Sequence, residues 1–180
     1  MKLFLLICIS SILTSCTVIN PTLKSIPLKG NYIDKPYEVK INKPFDEVWS
    51  NIIDLFATKG LSIKLIDKSS GLIVSEKTSF IDNYTVENRS GDLEKEDAYI
   101  IVEKKVYMEY NEISLPKVIT GEWNIRIKKV GNNKTSLNVN LTNINATTTI
   151  SGTQYNPPRT IRYKAKSTGE FEEFITELIK

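Results

Sequence analysis

The residue types that most often perform catalysis are scarce in this sequence. It contains no histidine and only two cysteines, Cys8 and Cys16. Without an imidazole base, the Ser–His–Asp and Cys–His nucleophile systems cannot form, and zinc sites built from histidine or cysteine are excluded as well. The 8 glycines are dispersed and form no phosphate-binding loop. The composition therefore predicts a protein that is not an enzyme and that holds no metal and no cofactor.

Carboxylates and serine–lysine pairs are the remaining candidates for chemistry. Asp46/Glu47 and Glu172/Glu173 are adjacent pairs on predicted helices, where neighbouring side chains diverge by about 100°. We interpret them as acids in first helical turns and on solvated faces. The acidic segment 82–97 lacks the ligand spacing of a calcium loop, although weak calcium binding stays open. A serine–lysine pair also stays open, because the sequence indicates no particular pair.

Two long charged segments are candidates for binding. Residues 79–97 are acidic, and residues 146–166 are threonine-rich and then basic. Long loops in a compact domain often bind partners, although these two could instead be disordered or pair with each other. The candidate binding residues are Asp92, Glu94, Glu96, Arg159, Arg162 and Lys164.

The N-terminus has the order of charge and apolarity that is typical of a signal peptide. Met1 and Lys2 precede an apolar run from Leu3 to Leu13. This run is too short to span about 30 Å of hydrocarbon as a stable helix. It therefore predicts export from the cytoplasm, either by an ordinary secretory signal or by a more specialised one.

The run ends in Leu13-Thr14-Ser15-Cys16, which resembles the lipobox of bacterial prolipoproteins. The resemblance implies that residues 1–15 are a signal peptide, cut before Cys16, and that the Cys16 thiol carries diacylglycerol, with acyl chains such as palmitate. Thr17 follows in place of the Asp that retains proteobacterial lipoproteins in the inner membrane. We therefore expect a lipid-anchored protein on the periplasmic face of the outer membrane. Residues 16–36, with three prolines, are predicted to be a flexible tether.

The remaining residues, 37–180, predict a single α+β domain. Apolar residues at helical spacing from Phe45 to Phe56 indicate an amphipathic helix that ends at Gly60, and a second stripe indicates a long C-terminal helix from about residue 168. Alternating residues at 122–128 and 137–141 indicate a β-hairpin with one buried face. The predicted architecture is a single antiparallel sheet packed against both helices.

Three segments of this domain carry a further resemblance. They are Phe45-Asp46-Glu47-Val48-Trp49, then Gly60-Leu61-Ser62-Ile63 with Ile66-Asp67-Lys68-Ser69-Ser70-Gly71-Leu72-Ile73, and Ser167-Thr168-Gly169 before Phe171-Glu172. This pattern is similar to the BamC (NlpB)-like domains of outer-membrane assembly lipoproteins and related envelope lipoproteins. The resemblance implies a helix-grip fold, in which an antiparallel sheet wraps a long C-terminal helix.

These features predict a non-enzymatic, membrane-tethered accessory protein that binds another envelope protein, in a role such as outer-membrane assembly. The alternatives are a carrier that holds a lipid or other apolar ligand under the C-terminal helix, and an enzyme of unfamiliar type. The 24 basic residues are nearly balanced by 21 acidic ones, so no nucleic-acid partner is expected.

Overall fold

The computed structural model describes residues 21–32, 37–152, 154 and 157–179. Within them it contains two helices, α1 (Phe45–Lys59) and α2 (Glu170–Ile179). The strands are β1 (Leu23–Ile26), β2 (Tyr37–Ile41), β3 (Ile63–Asp67), β4 (Leu72–Ser75), β5 (Thr78–Ser79), β6 (Tyr84–Thr85), β7 (Ile100–Val102), β8 (Lys104–Tyr107), β9 (Glu112–Ser114), β10 (Val118–Gly131), β11 (Lys134–Ile150), β12 (Arg159–Tyr163) and β13 (Ala165–Ser167).

A seven-stranded antiparallel sheet forms the centre of the molecule. Its strands follow the order β12-β11-β10-β4-β3, with β2 paired to β11 and β5 paired to β10. The β10–β11 hairpin dominates this sheet because its strands are 14 and 17 residues long. Alternate residues of β10, including Trp123, Ile125 and Ile127, are buried, as the alternating sequence predicted. The predicted hairpin at 122–128 and 137–141 is thus confirmed, and its strands extend well beyond those bounds.

Helix α1 forms where its apolar spacing predicted. Val48, Trp49, Ile52 and Phe56 are buried on one face, and Asp46 and Glu47 lie in the first turn near the positive end of the helix dipole. The helix ends at Gly60, whose φ of 64° is left-handed, and the Gly60 N–H donates to the Phe56 carbonyl oxygen.

Helix α2 is short, and its buried face differs in part from the apolar stripe that predicted it, which consists of Phe171, Phe174, Ile175, Leu178 and Ile179. The buried residues are Phe171, Glu172, Ile175, Thr176 and Ile179, whereas Phe174 and Leu178 are exposed. Glu172 is fully buried because one carboxylate oxygen accepts from the Leu141 N–H (3.0 Å) and the other accepts from the Ser167 hydroxyl (2.7 Å). The interpretation of Glu172 as a solvated acid was therefore wrong.

Two small sheets lie beside the large one. The first has the strand order β1-β8-β9 and is antiparallel, with Leu23 opposite Tyr107 and Ile26 opposite Lys104. The second has the order β13-β7-β6, in which β6 and β7 are parallel. Both sheets use segments that the sequence had assigned to the tether or to long loops.

The predicted fold class, α+β with a single antiparallel sheet and a long C-terminal helix, was wrong. Over the described residues the protein is mostly β, with 48% strand and 16% helix, and it has several sheets. The helix-grip arrangement fails because α2 has only 10 residues and is shorter than α1. Pairing between β1 and β8 adds a further sheet, and β11 continues to Ile150 through a threonine-rich segment interpreted as loop.

Candidate functional site

A solvent-open groove of about 490 Å³ lies against the β1–β8–β9 sheet. Its apolar lining consists of Ile26, Pro27, Leu28, Val102, Val106 and Ile113. Its polar lining consists of Lys29, Glu87, Asn88, Arg89, Lys104 and Asn111. The groove therefore combines an apolar floor with a polar rim that includes three cations and one carboxylate.

Strand register places the floor residues on one face. Lys104 lies opposite Ile26 and Val106 lies opposite Ile113, and alternate residues of β8 point to the same side of the sheet. Ile26 is 43% exposed and Ile113 is 52% exposed, so this face is left open to solvent. Exposed apolar residues that line the same concave surface are typical of binding sites.

Residues 27–32, called the strap, cross the edge of this groove and are held by Glu87. The Glu87 carboxylate accepts from the Lys29 N–H at 2.8 and 2.9 Å and from the Gly30 N–H at 2.8 Å. It also accepts from the Tyr32 hydroxyl at 2.6 Å. Glu87 is only 8% exposed, so both of its oxygens depend on the strap for their hydrogen bonds.

The ionisation states of Glu87 and Tyr32 follow from these contacts. Burial acts to raise the pKa of Glu87, but the donors from Tyr32, Gly30 and Lys29 outweigh it and hold the pKa below its ordinary value. Burial and the hydrogen bond to Glu87 raise the pKa of Tyr32. Glu87 is therefore a carboxylate and Tyr32 a neutral donor at neutral pH, which is the state that holds the strap.

The loop after Glu87 is shaped by Asn88. Its side-chain oxygen accepts from the backbone N–H groups of Ser90 (2.8 Å), Gly91 (2.9 Å) and Asp92 (3.0 Å). Gly91 has a φ of 102°, which a residue without Cβ adopts readily. This turn places Arg89 at the rim of the groove, where its side chain is exposed.

The other rim cations are fixed by hydrogen bonds. The Lys29 ammonium donates to the Arg89 carbonyl oxygen (2.7 Å), and the Lys104 ammonium contacts the Glu94 carboxylate (2.5 Å). Lys29 is therefore linked to the loop that carries Arg89, and Lys104 is anchored beside the floor. Three cations and one carboxylate line the groove, and that carboxylate, Glu87, is occupied by the strap.

A second cavity of about 480 Å³ lies on the other side of the strap. Pro27 and Leu28 line both cavities, and Tyr32, Ile144 and Tyr163 line only the second. The strap therefore borders both spaces, and its hydrogen bonds to Glu87 fix its position beside them.

A buried polar cluster joins the small sheet to the large one. The Glu103 carboxylate contacts the Lys105 ammonium (3.2 Å) and accepts from the Lys164 N–H (3.0 Å). A hydrogen bond of 2.7 Å joins the hydroxyls of Ser114 and Tyr163. Lys105 and Ser114 are cross-strand partners, but each is bonded to a different group, so the cluster connects strands and does not form an activated serine.

The predicted binding residues are distributed over several surfaces. Asp92 lies in the Asn88 turn, Glu94 contacts Lys104 beside the groove, and Glu96 is exposed. Arg159 and Arg162 lie on β12, opposite Ile150 and Thr147, and Lys164 contacts Glu103 and lines the second cavity. The structure thus places Glu94 next to the groove and Lys164 next to the second cavity, and it does not gather the six residues into one site.

The strap and its carboxylate were missed by sequence reasoning. Residues 21–32 fell within the predicted flexible tether 16–36, yet four of them form β1 and the next six form the strap. Leu23-Lys24-Ser25-Ile26 gives no clear signal for a strand, because its apolar residues do not alternate with polar ones and it is short and lies between prolines.

The predicted lipobox, Leu13, Thr14 and Ser15, and the lipid attachment residue Cys16 lie outside the described residues. No helix among the residues that are described has the length and apolarity to cross a membrane. Those same residues contain no group of three or more acidic, cysteine or histidine side chains placed to hold a metal ion.

Comparison with known proteins identifies no family for this chain. No family model matches the sequence, and no curated protein matches it significantly. The resemblance to BamC-like lipoproteins therefore stays a prediction.

Proposed function

We propose that this protein is a non-enzymatic binding module, anchored to a bacterial envelope membrane by lipid on Cys16, and that its groove binds an extended segment of a partner protein. The observation that carries the proposal is the open groove with exposed Ile26 and Ile113 on its floor. A periplasmic partner, such as an outer-membrane assembly component, is consistent with the predicted location.

The free edge of β9 favours a polypeptide over a small apolar ligand. In the β1-β8-β9 order, β9 pairs with β8 on one side, and no strand among the described residues pairs with its other side. An edge strand of this kind offers backbone donors and acceptors to an added strand, and alternate side chains of that strand can enter an adjacent apolar surface. Ile113 lies in the middle of β9, so backbone pairing and apolar contact would occur together.

Charge indicates the composition of the bound segment. The rim presents Lys29 and the exposed Arg89, whereas Lys104 is paired with Glu94 and the Glu87 carboxylate is turned to the donors of the strap. Acidic residues that flank apolar ones would therefore be attracted to the groove, which raises the rate of association and sets the register.

A carrier with its ligand under the C-terminal helix has less support. Phe171 of α2 lies in ring contact with Phe80 (5.9 Å between centroids) and Trp123 (6.5 Å), and Trp123 stacks on Phe56 (4.5 Å). These rings occupy the space beneath the helix. We therefore place binding in the groove.

The proposal is tested by affinity purification from detergent-solubilised membranes. An Ile113→Asp variant puts a carboxylate on the groove floor, and a Leu65→Asp variant makes the same change at a comparably exposed position on β3. We expect a protein that co-purifies with the wild type and with Leu65→Asp and is lost with Ile113→Asp. The proposal is wrong if no protein is enriched, or if Ile113→Asp retains the same protein.

A further inference from the structure

The tip of the β8–β9 hairpin, residues 108–111, exposes two large side chains. Met108 is 56% exposed and Tyr110 is 69% exposed. The turn is well defined, since the Tyr110 N–H donates to the Tyr107 carbonyl oxygen (3.3 Å) and Asn111 has a left-handed φ of 52°. The strands therefore hold these side chains outward at a fixed place.

Two hydrogen bonds attach this tip to the start of the described chain. The Met108 N–H donates to the Thr22 carbonyl oxygen (3.0 Å), and the Glu109 carboxylate accepts from the Thr22 N–H (2.8 Å). Beyond Thr22, β1 pairs with β8 from Leu23 to Ile26. Thr22 is consequently held against the tip.

The proposed anchor lies close to Thr22 along the chain. Thr22 is six residues after Cys16, and six residues span at most about 20 Å even when fully extended. Lipid on Cys16 would place the sulfur at the headgroup level of the bilayer. Thr22, and the tip bonded to it, must then lie within that reach of the membrane surface.

We propose that Met108 and Tyr110 contact the bilayer that holds the Cys16 lipid and so fix the orientation of the domain. The proposal rests on the lipid anchor of the proposed function. A tyrosine presents an apolar ring and a polar hydroxyl, a combination enriched at the boundary between headgroups and acyl chains, and methionine adds a flexible apolar side chain. The groove begins at Asn111 and Ile113 on the same hairpin, so this orientation places it next to the membrane surface.

The charge at the tip of the hairpin determines the lipid for the test. Glu109 and Glu112 flank the exposed side chains, so an anionic surface would repel the tip, whereas a zwitterionic one would not. Phosphatidylcholine vesicles are therefore the appropriate membrane, and brominated acyl chains make contact with the bilayer visible as fluorescence quenching.

The experiment uses the full chain, lipidated in a bacterial host, purified and reconstituted into vesicles with or without brominated phosphatidylcholine. A Tyr110→Trp variant reports on the tip. A Val130→Trp variant is the control, because Val130 is similarly exposed at 53% and lies at the far end of β10. The native Trp49 and Trp123 are buried and give the same background in both variants.

We expect brominated lipid to quench the emission of Tyr110→Trp and to leave that of Val130→Trp unchanged. The protein mass first establishes whether diacylglycerol is attached. If it is, absence of quenching in Tyr110→Trp, or equal quenching in both variants, would overturn the orientation proposal and leave the lipid anchor intact. A mass without diacylglycerol would instead overturn the anchor, and the orientation proposal with it.

Discussion

Replacement of Glu87 by glutamine tests whether one carboxylate holds the strap. One oxygen of Glu87 accepts from the Lys29 N–H, the Gly30 N–H and the Tyr32 hydroxyl, and the other accepts from the Lys29 N–H at 2.8 Å. Glutamine keeps one acceptor oxygen, without its charge, and points an NH₂ group at the Lys29 donor. Hydrogen bonds to charged groups contribute about 1.5–3 kcal/mol each, roughly twice the neutral value.

We therefore expect the Glu87→Gln variant to lose about 2–3 kcal/mol of local stability in the strap, which corresponds to a roughly 30- to 150-fold larger equilibrium constant for local opening. Amide hydrogen exchange at Lys29 and Gly30 measures this directly, because exchange of a hydrogen-bonded amide follows its local opening. Glu96→Gln is the matched control, since Glu96 is an exposed carboxylate in the same acidic segment. Equal protection of the Lys29 and Gly30 amides in Glu87→Gln and wild type would refute the conclusion that the Glu87 carboxylate holds the strap.

The same contacts predict that the local stability of the strap falls at acidic pH. The pKa of Glu87 is held below its ordinary value of 4.5 in the folded protein, so its contribution is fully present above that value. Protection of the strap should fall as the pH drops below about 4.5 and through the folded pKa. This fall, corrected for intrinsic exchange, should be absent in Glu87→Gln.

Three further changes have defined outcomes. Gly71→Ala should lower the free energy of unfolding by about 3 kcal/mol or more in denaturant titration, because its φ is +68° and a Cβ there would overlap the Ile127 carbonyl oxygen. Gly60→Ala is the control, because its φ is also left-handed, at +64°, but the space around it is open. It should lower the free energy of unfolding by only about 1 kcal/mol. Equal losses for the two glycines would contradict the close approach at Gly71. Glu172→Gln should lower the thermal midpoint through a loss of about 1–3 kcal/mol, since a buried carboxylate with two donors is replaced, and an unchanged midpoint would contradict that role. Cys16→Ala should move the protein from the membrane fraction or leave it unprocessed, and a processed, membrane-bound variant would contradict the anchor.

Local patterns in the sequence were sufficient to predict the elements whose secondary structure does not depend on which element they pack against. Helix α1 follows from its apolar spacing and from Gly60, and the centre of the β10–β11 hairpin follows from alternation. Both elements bury one face against whatever surface is available, so knowledge of the partner is unnecessary.

The groove could not be predicted in this way because it depends on distant pairings. Strand β1 has four residues, and its partner Tyr107 lies more than eighty positions from Leu23. Glu87 resembles Glu94 and Glu96 in sequence, but only Glu87 meets the N–H groups of the strap. Burial of Glu172 likewise depends on the Leu141 N–H of β11, which lies 31 positions away in the sequence. A single sequence contains no local sign of such contacts.

The central claim is that a lipid-anchored protein binds a polypeptide in the groove of the β1–β8–β9 sheet. Site-specific photo-crosslinking in intact cells tests it most directly, with a photoreactive residue at Ile113 on the groove floor and, as the control, at Leu65 on β3, an equally accessible site. We predict a discrete crosslinked protein from position 113 that is absent from position 65 and is lost when Cys16→Ala is combined with the probe. No crosslinked protein at position 113, or the same product from both positions, would contradict the claim.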